Sequence, residues 1–482
     1  MITLVTPPST FLLDQRVFMS LGILKVGASL EQAGVAVDHL DLTGVRNYLD
    51  VVRDYMQSSP SRCFALTATT PQMPAATSIA YVIRPYAKVI LGGPHPTLVN
   101  AAAKREQIPG RASKALAELL SGFDAIIAGD GERAIFRAME ETGLIDADDP
   151  KSDLWQTSAD FNTAPWPARH LVDVDSYHYT IDGRRALSLV AQLGCPFACN
   201  FCGGRLSPML RRMRRRSTEN VIAEMLHLHE AYGVSAINFY DDELNVNPNL
   251  VDLMRRIKST GIDWRLRGFV RSDLFTEEQA EAMYAAGFRW LLCGFESAHP
   301  RMLRNMNKKS TVANNTRMLH IAHQHGLKVK ALMSFGHPAE SEATILTTRD
   351  WLLQEKPDDF DCTIITTYPG CAYYDYARLQ ENGIYVFEAN GDKLYAHDVN
   401  YATDAMYYKG KPGDYKSYVW TDYLSPERLV ELRDAVEAEV RDKLKIPFYA
   451  DVAALQFEHS MGQGNIPTHI LRSSRQSTVE EV

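Results

Sequence analysis

Along the first 145 residues, short apolar runs alternate with amphipathic stretches. ITLVTPP (2–8) is apolar and stops at two prolines, SLGILKVGASLEQAG (20–34) places its apolar residues every three or four positions and ends in glycine, and VAVDHLDL (35–42) is strand-like again. CFALTATTP (63–71), the helical MPAATSIAYVIRPY (73–86), KVILGG (88–93) and DAIIAGDGE (124–132) continue the alternation. Strands that alternate with helices predict an α/β unit, a doubly wound, Rossmann-like parallel sheet covered on both faces. Ligands of such sheets lie beyond the carboxyl ends of the strands. Three loops at those ends, TATTPQMP, LGGPHPT (91–97) and AGDGE (128–132), are rich in small and hydroxyl residues that admit a bulky ligand and hydrogen-bond it. Any one of them reads equally well as an ordinary turn, but three on one sheet favour a site.

Residues 146–185 are polar, proline-dotted and weakly periodic, as expected of a linker. A second series then begins. The strands ALSLVAQLGC (186–195), SAINFYDDE (235–243), DWRLRGFVR (263–271), FRWLLCGFE (288–296), KVKALMSFGHP (328–338) and DDFDCTIITTYPG (358–370) are separated by helices at 218–233, 247–261, 276–287, 310–326 and 340–356. About six βα units over 186–385 predict a partial (β/α)6 barrel of TIM type, whose chemistry belongs at the C-terminal strand ends. From 386 to 482 the pattern breaks into a tyrosine-rich stretch and one clear helix, PERLVELRDAVEAEVRDKL (426–444), giving a small, mostly helical C-terminal domain over the barrel mouth. Its tyrosines between 395 and 423 suit either a substrate pocket or the domain's own core.

Composition narrows the function. The 482 residues are 45% apolar and 23% charged with a net charge of −8, a balance that argues against a dedicated nucleic-acid binder. No stretch approaches the roughly 20 apolar residues of a membrane span, and MITLVTPPST lacks the features of a signal peptide, so a cytoplasmic protein without membrane association is expected. The arginine run at 211, 212, 214, 215 and 216 reads as a solvated loop, or as a contact to an anionic substrate or cofactor. Seven cysteines, odd in number, do not form a secreted disulfide framework, and three of them stand together in LGCPFACNFCGG at Cys195, Cys199 and Cys202.

Three thiolates leave a tetrahedral zinc site one ligand short. A zinc site completed by a distant histidine, buried unligated cysteines, and a redox pair at Cys199 and Cys202 remain open. The reading that suits a loop following the first barrel strand is a [4Fe–4S] cluster with one iron left free for a ligand. Cys293 reads as a buried strand residue. Cys371 reads as packing or as a group facing substrate.

Cys195-x3-Cys199-x2-Cys202, with Phe201 before the last cysteine, resembles the signature of the radical S-adenosylmethionine (SAM) enzymes. RSTENVIAEM (216–225), INFYDDELN (237–245), WRLRGFVRSDL (264–274), AGFRWLLCGFES (286–297) and LMSFGHPAES (332–341) follow in the order of that family's strand ends. The resemblance implies that SAM chelates the free iron and is cleaved to a 5′-deoxyadenosyl radical. By position, Phe201 and Gly203 would line SAM, Arg271 would meet its carboxylate, Glu296 its polar groups, and Asp241 or Asp242 its ribose.

The N-terminal unit is similar to the cobalamin-binding domain that precedes the barrel in one radical SAM subgroup. The residues carrying this likeness are Leu21 and Gly22, Thr67, Thr69 and Thr70, Gly92, Gly93 and His95, and Gly129, Gly131 and Glu132. His95 is expected to be a hydrogen-bonding loop residue and not a metal ligand. The Asp-x-His-x-x-Gly motif that supplies a cobalt ligand in many cobalamin proteins is absent, PPSTFLLDQR standing after the first strand.

The implied activity is a cobalamin-dependent radical SAM methyltransferase. A methyl group from SAM would pass through methylcobalamin to an unactivated carbon of a small metabolite or natural-product intermediate after hydrogen abstraction. A one-electron reductant such as flavodoxin or ferredoxin would be its partner. Rearrangement, cyclisation or oxidation by the same cofactors, a non-radical cobalamin methylase, and a zinc-stabilised binding protein remain alternatives.

Overall fold

The computed structural model describes residues 1–9, 16–404 and 416–447. Six strands, β1 (Ile2–Thr6), β2 (Val37–Asp41), β3 (Cys63–Thr67), β4 (Lys88–Gly92), β5 (Ala125–Ala128) and β6 (Gly143–Asp146), form one parallel sheet in the order β2-β1-β3-β4-β5-β6. The chain turns first to one side of β1 and then to the other, which leaves a crevice at the carboxyl ends of β1 and β3. Helices α1 (Leu21–Gln32), α2 (Tyr48–Ser58), α3 (Met73–Ile83), α4 (Pro94–Ala103), α5 (Arg111–Gly122) and α6 (Gly131–Glu140) fill the connections. One face buries Val5, Phe64, Leu66, Val89 and Leu91 against α2, α3 and α5 in a core of its own. The opposite face, under α1 and α6, joins a second core that runs on into the next unit.

That next unit is a curled sheet. A short antiparallel hairpin, β7 (Thr180–Ile181) and β8 (Arg184–Leu189), leads to the cysteine segment, which is fastened by the small ladder of β9 (Gln192–Leu193) with β10 (Arg214–Arg215). Strands β11 (Ala236–Phe239), β12 (Arg265–Phe269), β13 (Phe288–Glu296), β14 (Lys328–Phe335) and β15 (Asp359–Ile364) then pair in parallel, giving the order β15-β14-β13-β12-β11-β8-β7. Six parallel strands, β8 and β11 to β15, make the open partial barrel that the periodicity predicts. Four of its helices begin on hydroxyl caps: Ser217, Thr276, Thr311 and Ser341 each accept a backbone N–H of the first turn. Those caps fix where each helix starts, and so where each preceding strand end points.

The C-terminal part adds what the sequence pattern does not reveal, an antiparallel sheet of β16 (Arg378–Leu379), β17 (Tyr385–Ala389), β18 (Asp392–Ala396) and β19 (Val419–Trp420). The expected helix follows at Pro426–Leu444. Of the expected tyrosines, Tyr401 is buried and donates to the Thr367 carbonyl at 2.6 Å, whereas Tyr407, Tyr408 and Tyr415 lie outside the described residues. Among the described residues no helix is long and apolar enough to cross a membrane.

Candidate functional site: a three-cysteine loop facing a glycine-rich crevice

The cysteine loop leaves β9 through Gly194, whose φ of +91° and lack of a side chain are both required, since a Cβ there would lie 2.2 Å from the Arg212 carbonyl oxygen. Carboxylates at the end of β11 hold the loop from below. Asp241 accepts the N–H groups of Ala191 and Gln192, and Asp242 accepts that of Gly194 at 2.9 Å. From the other side Asn307 donates to the Ala198 carbonyl at 2.7 Å, and Asn200 is bonded through its backbone and side chain to Met306 and Asn305. The ribose role expected for Asp241 or Asp242 therefore meets a prior commitment: both carboxylates are engaged in shaping the cysteine loop.

Within this frame Cys199 is buried, Cys195 is half-buried and Cys202 is exposed. Protein mass around the sulfurs pushes Cys195 up to about 11 and Cys202 up to about 12, with the neighbouring cysteines adding to both shifts. Bare thiols here stay protonated, and a positively charged centre is what would make them thiolates. Among the described residues no three His, Cys, Asp or Glu side chains converge on the space of a single metal ion.

Charged side chains ring the loop. Arg271, buried at the end of β12, lies 3.6 Å over the Phe197 ring. It donates to Asp273 at 3.0 and 3.2 Å and to the Lys308 carbonyl at 2.8 Å. Its expected carboxylate contact thus competes with a partner already in place. Lys308 is buried and stands 3.2 Å from Glu296 Oε1, and Ser334 donates to Glu296 Oε2 at 2.7 Å. Glu243 follows β11, and burial pushes its carboxyl up to about 7 against the pull of Lys308 and Arg271. Its Oε2 is buried and has no hydrogen-bond partner. Cys293 is fully buried in β13, as expected, and Cys371 is fully buried as the cap of a short helix, close enough to Cys202 to feel its charge.

The sequence reading misses Glu243 and Lys308. The first stands in the same DDE triplet as Asp241 and Asp242, so its address at a strand end was the available signal. The second follows a short helix after β13 and carries no motif.

The crevice of the first sheet is knitted by one side chain. Thr97, on α4, donates to the Gly93 carbonyl at 2.9 Å and accepts the Gly129 N–H at 2.9 Å, tying the loops after β4 and β5 together. Thr67 Oγ1 would lie 2.7 Å from a Cβ at Gly93, so the β3 and β4 loops touch. His95, in the first turn of α4, is buried and paired with Thr70 Oγ1 at 3.1 Å, and burial lowers it to about 3, so it is neutral. Thr69 caps the short turn at 70–72. At Gly22 a Cβ would meet nothing within 4 Å, so the first turn of α1 faces open space. Leu21 beside it belongs to the core. Gly92 lies at the end of β4, against Ile127 of β5. Gly131 lets α6 approach Val26 of α1, and Glu132 pairs with Lys25 at 2.6 Å and accepts from Gln156 at 3.1 Å. Those last two residues join helices as much as they border the crevice.

The two sites face each other. A Cβ at Gly203 would lie 3.3 Å from Leu98 Cδ1 on α4, and one at Gly370 would lie 2.9 Å from both Leu98 Cδ2 and the Gly203 carbonyl oxygen. The glycine-rich crevice therefore opens onto the cysteine loop. Of the arginine run, Arg214 and Arg216 fasten this arrangement, whereas Arg212 stays exposed as a solvated loop residue. Arg214 is fully buried against Asp130 of the β5–α6 loop. Arg216 binds Glu224 and Asn220, Arg215 the Val246 carbonyl, and Arg211 the Pro196 carbonyl at 2.8 Å. Arg212 sits over Trp155 at 5.6 Å. Burial between two sheets is what a run of like charges cannot disclose in one dimension.

Residues 189–352 match the radical SAM superfamily. These residues form a radical SAM domain. The radical SAM segment is a third of the chain, and the similarity to other proteins extends further. An uncharacterized methyltransferase of Pyrococcus horikoshii is 29% identical over 332 residues, covering 65% of this chain and 68% of that one. The bacteriochlorophyllide d C-12(1)-methyltransferase of Chlorobaculum tepidum is 26% identical over 195 residues, a match that spans 42% of its length. Among solved structures, the radical SAM methyltransferase TsrM of Kitasatospora setae, with cobalamin and a [4Fe-4S] cluster bound, superposes with a TM-score of 0.61 at 17% identity over 91% of this chain and 90% of that one. The likeness to TsrM covers both sheets of this radical SAM enzyme, so the two proteins share their fold.

Proposed function

We propose that this radical SAM enzyme is a cobalamin-dependent methyltransferase acting on a carbon of a small molecule. The observation that carries the reading is the juxtaposition of three cysteines on one barrel loop with a glycine-lined crevice across Leu98 and Gly203. In this reading residues 1–145 bind cobalamin, 186–385 form the radical SAM barrel and 386–482 cap it.

The residues fit these groups. Cys195, Cys199 and Cys202 would hold a [4Fe–4S] cluster. The unpartnered Glu243 oxygen suits the ammonium of SAM, and Lys308 and Arg271 suit its carboxylate. Phe201 and Gly203 would line it, with Glu296 among its polar contacts. For cobalamin, the open face at Gly22 and the linked loops around Thr67, Gly93 and Gly129 offer backbone and hydroxyl groups without a long side chain in the way. His95, held through Nδ1 by Thr70 and neutral, suits a hydrogen-bonding role. Bound together, these groups would supply a 5′-deoxyadenosyl radical and a transferable methyl group in one chamber. The chain's own work is to keep that chamber dry and fixed: Leu98, Cys293 and Phe197 exclude water, and Arg271 and Lys308 balance the negative charge of the thiolates and of Glu243 and Glu296. That the similar proteins of Pyrococcus horikoshii, Chlorobaculum tepidum and Kitasatospora setae are methyltransferases supports methyl transfer. A flavodoxin- or ferredoxin-type reductant and a cytoplasmic location belong to the same proposal.

Anaerobic purification followed by iron, sulfide, zinc and cobalt analysis tests the cofactors, with iron and sulfide near four per chain and one cobalt after reconstitution as the expected result. Zinc in place of iron overturns the reading. Turnover with SAM, reductant and candidate substrates should yield S-adenosylhomocysteine together with 5′-deoxyadenosine. 5′-Deoxyadenosine alone would assign a radical reaction without methyl transfer, and S-adenosylhomocysteine alone a non-radical methylase.

A further inference from the structure

Behind Glu296 lies a row of side chains that no step above uses. Ser334 (β14) donates to Glu296 Oε2 at 2.7 Å, the same Ser334 Oγ lies 2.8 Å from His337 Nε2, and His337 Nδ1 lies 2.9 Å from the Tyr373 hydroxyl. Tyr373 and His337 are fully buried, and Ser334 and Glu296 nearly so. On the other side Lys308 reaches Glu296 Oε1 at 3.2 Å. Four elements contribute to the row, so it is not a by-product of one turn.

Counting hydrogens gives it a direction. A serine hydroxyl has one proton and Ser334 gives it to Glu296, so toward His337 it must accept. The histidine then carries its proton on Nε2, and its bare Nδ1 accepts from Tyr373. A neutral imidazole satisfies both contacts, and burial with Lys308 nearby lowers His337 to about 3. A protonated Glu296 would reverse every bond in the row and place the histidine proton on Nδ1. The row also borders the cysteine loop, since the Phe201 ring meets His337 edge-on at 5.5 Å and Lys308 at 5.9 Å. Gly294 makes room for it, because a Cβ there would lie 2.5 Å from Glu296 Oε1 and 3.0 Å from Lys308 Nζ.

We propose that Ser334, His337 and Tyr373 are positioning residues, a directed hydrogen-bond chain that fixes Glu296 as an anionic acceptor for the hydrogen-bond donors of bound SAM. Tyr373 sets the histidine tautomer, the tautomer sets the serine hydroxyl, and the hydroxyl leaves the carboxylate no rotation. The proposal rests on the SAM reading of the site.

The full-length protein, prepared anaerobically, is tested for equilibrium binding of SAM as wild type, Tyr373→Phe, His337→Leu and His337→Gln. Tyr373→Phe and His337→Leu should each weaken SAM binding about tenfold, the effect of one lost hydrogen bond to a charged group, measured on folded protein. His337→Gln, whose amide N–H can replace the Nε2 donor, should recover most of that loss. In 15N-histidine spectra of the wild type, His337 should appear as the Nε2–H tautomer. A wild type that does not bind SAM overturns the SAM reading and this proposal with it. A wild type that binds, with Tyr373→Phe and His337→Leu binding equally well, overturns the positioning role alone. Should either variant fail to fold, the tautomer decides: an Nδ1–H histidine means that the chain runs the other way.

Discussion

At the scale of single residues the site depends on two glycines for different reasons. Gly194 carries backbone strain, and Gly294 carries space. Gly294→Ala leaves φ permissible and meets only the ends of the Glu296 and Lys308 side chains, which can move. Its folding stability should stay within about 1 kcal/mol of wild type, while SAM binding weakens about tenfold as the ion pair is pushed apart. Urea unfolding and a SAM titration on the same sample check both halves. Equal affinity would mean that the Lys308–Glu296 geometry does not matter to SAM. Residue by residue, the sequence discloses groups that sit inside a motif, such as the three cysteines and the Gly92–Gly93 pair. Ser334 and His337 share the end of β14, but Lys308, Glu296 and Tyr373 come from other strand ends and loops and meet them only when the barrel curls. Asp241 and Asp242 mark the converse case: the residues are legible, but their service to the cysteine loop's backbone is not.

Beyond β6, α2, α4, α5 and α6, which went unread, the strands and helices of both parallel sheets were readable from apolar runs and helical periodicity. The small sheet β16–β19 was not, since its strands are two to five residues long and carry no clear alternation. The short ladder β9–β10 shows what such minor elements do. It carries Arg214 into the first sheet's loops, where the guanidinium meets Asp130 with both groups buried. Arg214→Met leaves that carboxylate buried without its partner and should cost about 3–5 kcal/mol of stability. Pairing it with Asp130→Leu should recover most of the loss, because two apolar side chains need no counter-charge. Chemical denaturation of the two single variants and the double variant measures the cycle. If the double variant is as unstable as the sum of the singles, the two residues act independently and the ladder does not latch the sheets.

Over the whole molecule one apolar core runs from Ile2, Leu4 and Leu24 of the first sheet through Ile237, Leu291 and Phe335 of the barrel to Val436 of the last helix. The predicted linker therefore does not separate independent bodies: Asp148 within it accepts from Ser207 and from the Met209 N–H at 2.9 and 2.7 Å. Arg111 of the first unit is held between the Tyr374 and Tyr385 rings at 3.6 and 3.7 Å. With a shared core and these ties, the apoprotein should unfold by far-UV and near-UV circular dichroism in one coincident transition. Two transitions would show that the cores melt separately. The same burial sets two opposite responses to acid: raised carboxyls such as Asp241, Glu243, Glu340 and Asp375 take up protons more readily in the fold, whereas buried histidines refuse them. His95 and His337 are lowered to about 3 by burial, against an unfolded value of 6.5, and His39 is lowered too. At these histidines, below pH 6.5 the unfolded chain gains protons that the folded chain refuses until about pH 3, so their contribution to stability is intact above 6.5 and is lost as the pH falls through that window. Each such histidine should cost about 1.4 kcal/mol per pH unit. Between pH 7.5 and 5.5 His95 should cost the wild type about 1.4 kcal/mol relative to His95→Gln, which cannot take up the proton in either state. Urea midpoints at the two pH values decide it, and an unchanged slope with pH in His95→Gln would place the acid sensitivity elsewhere.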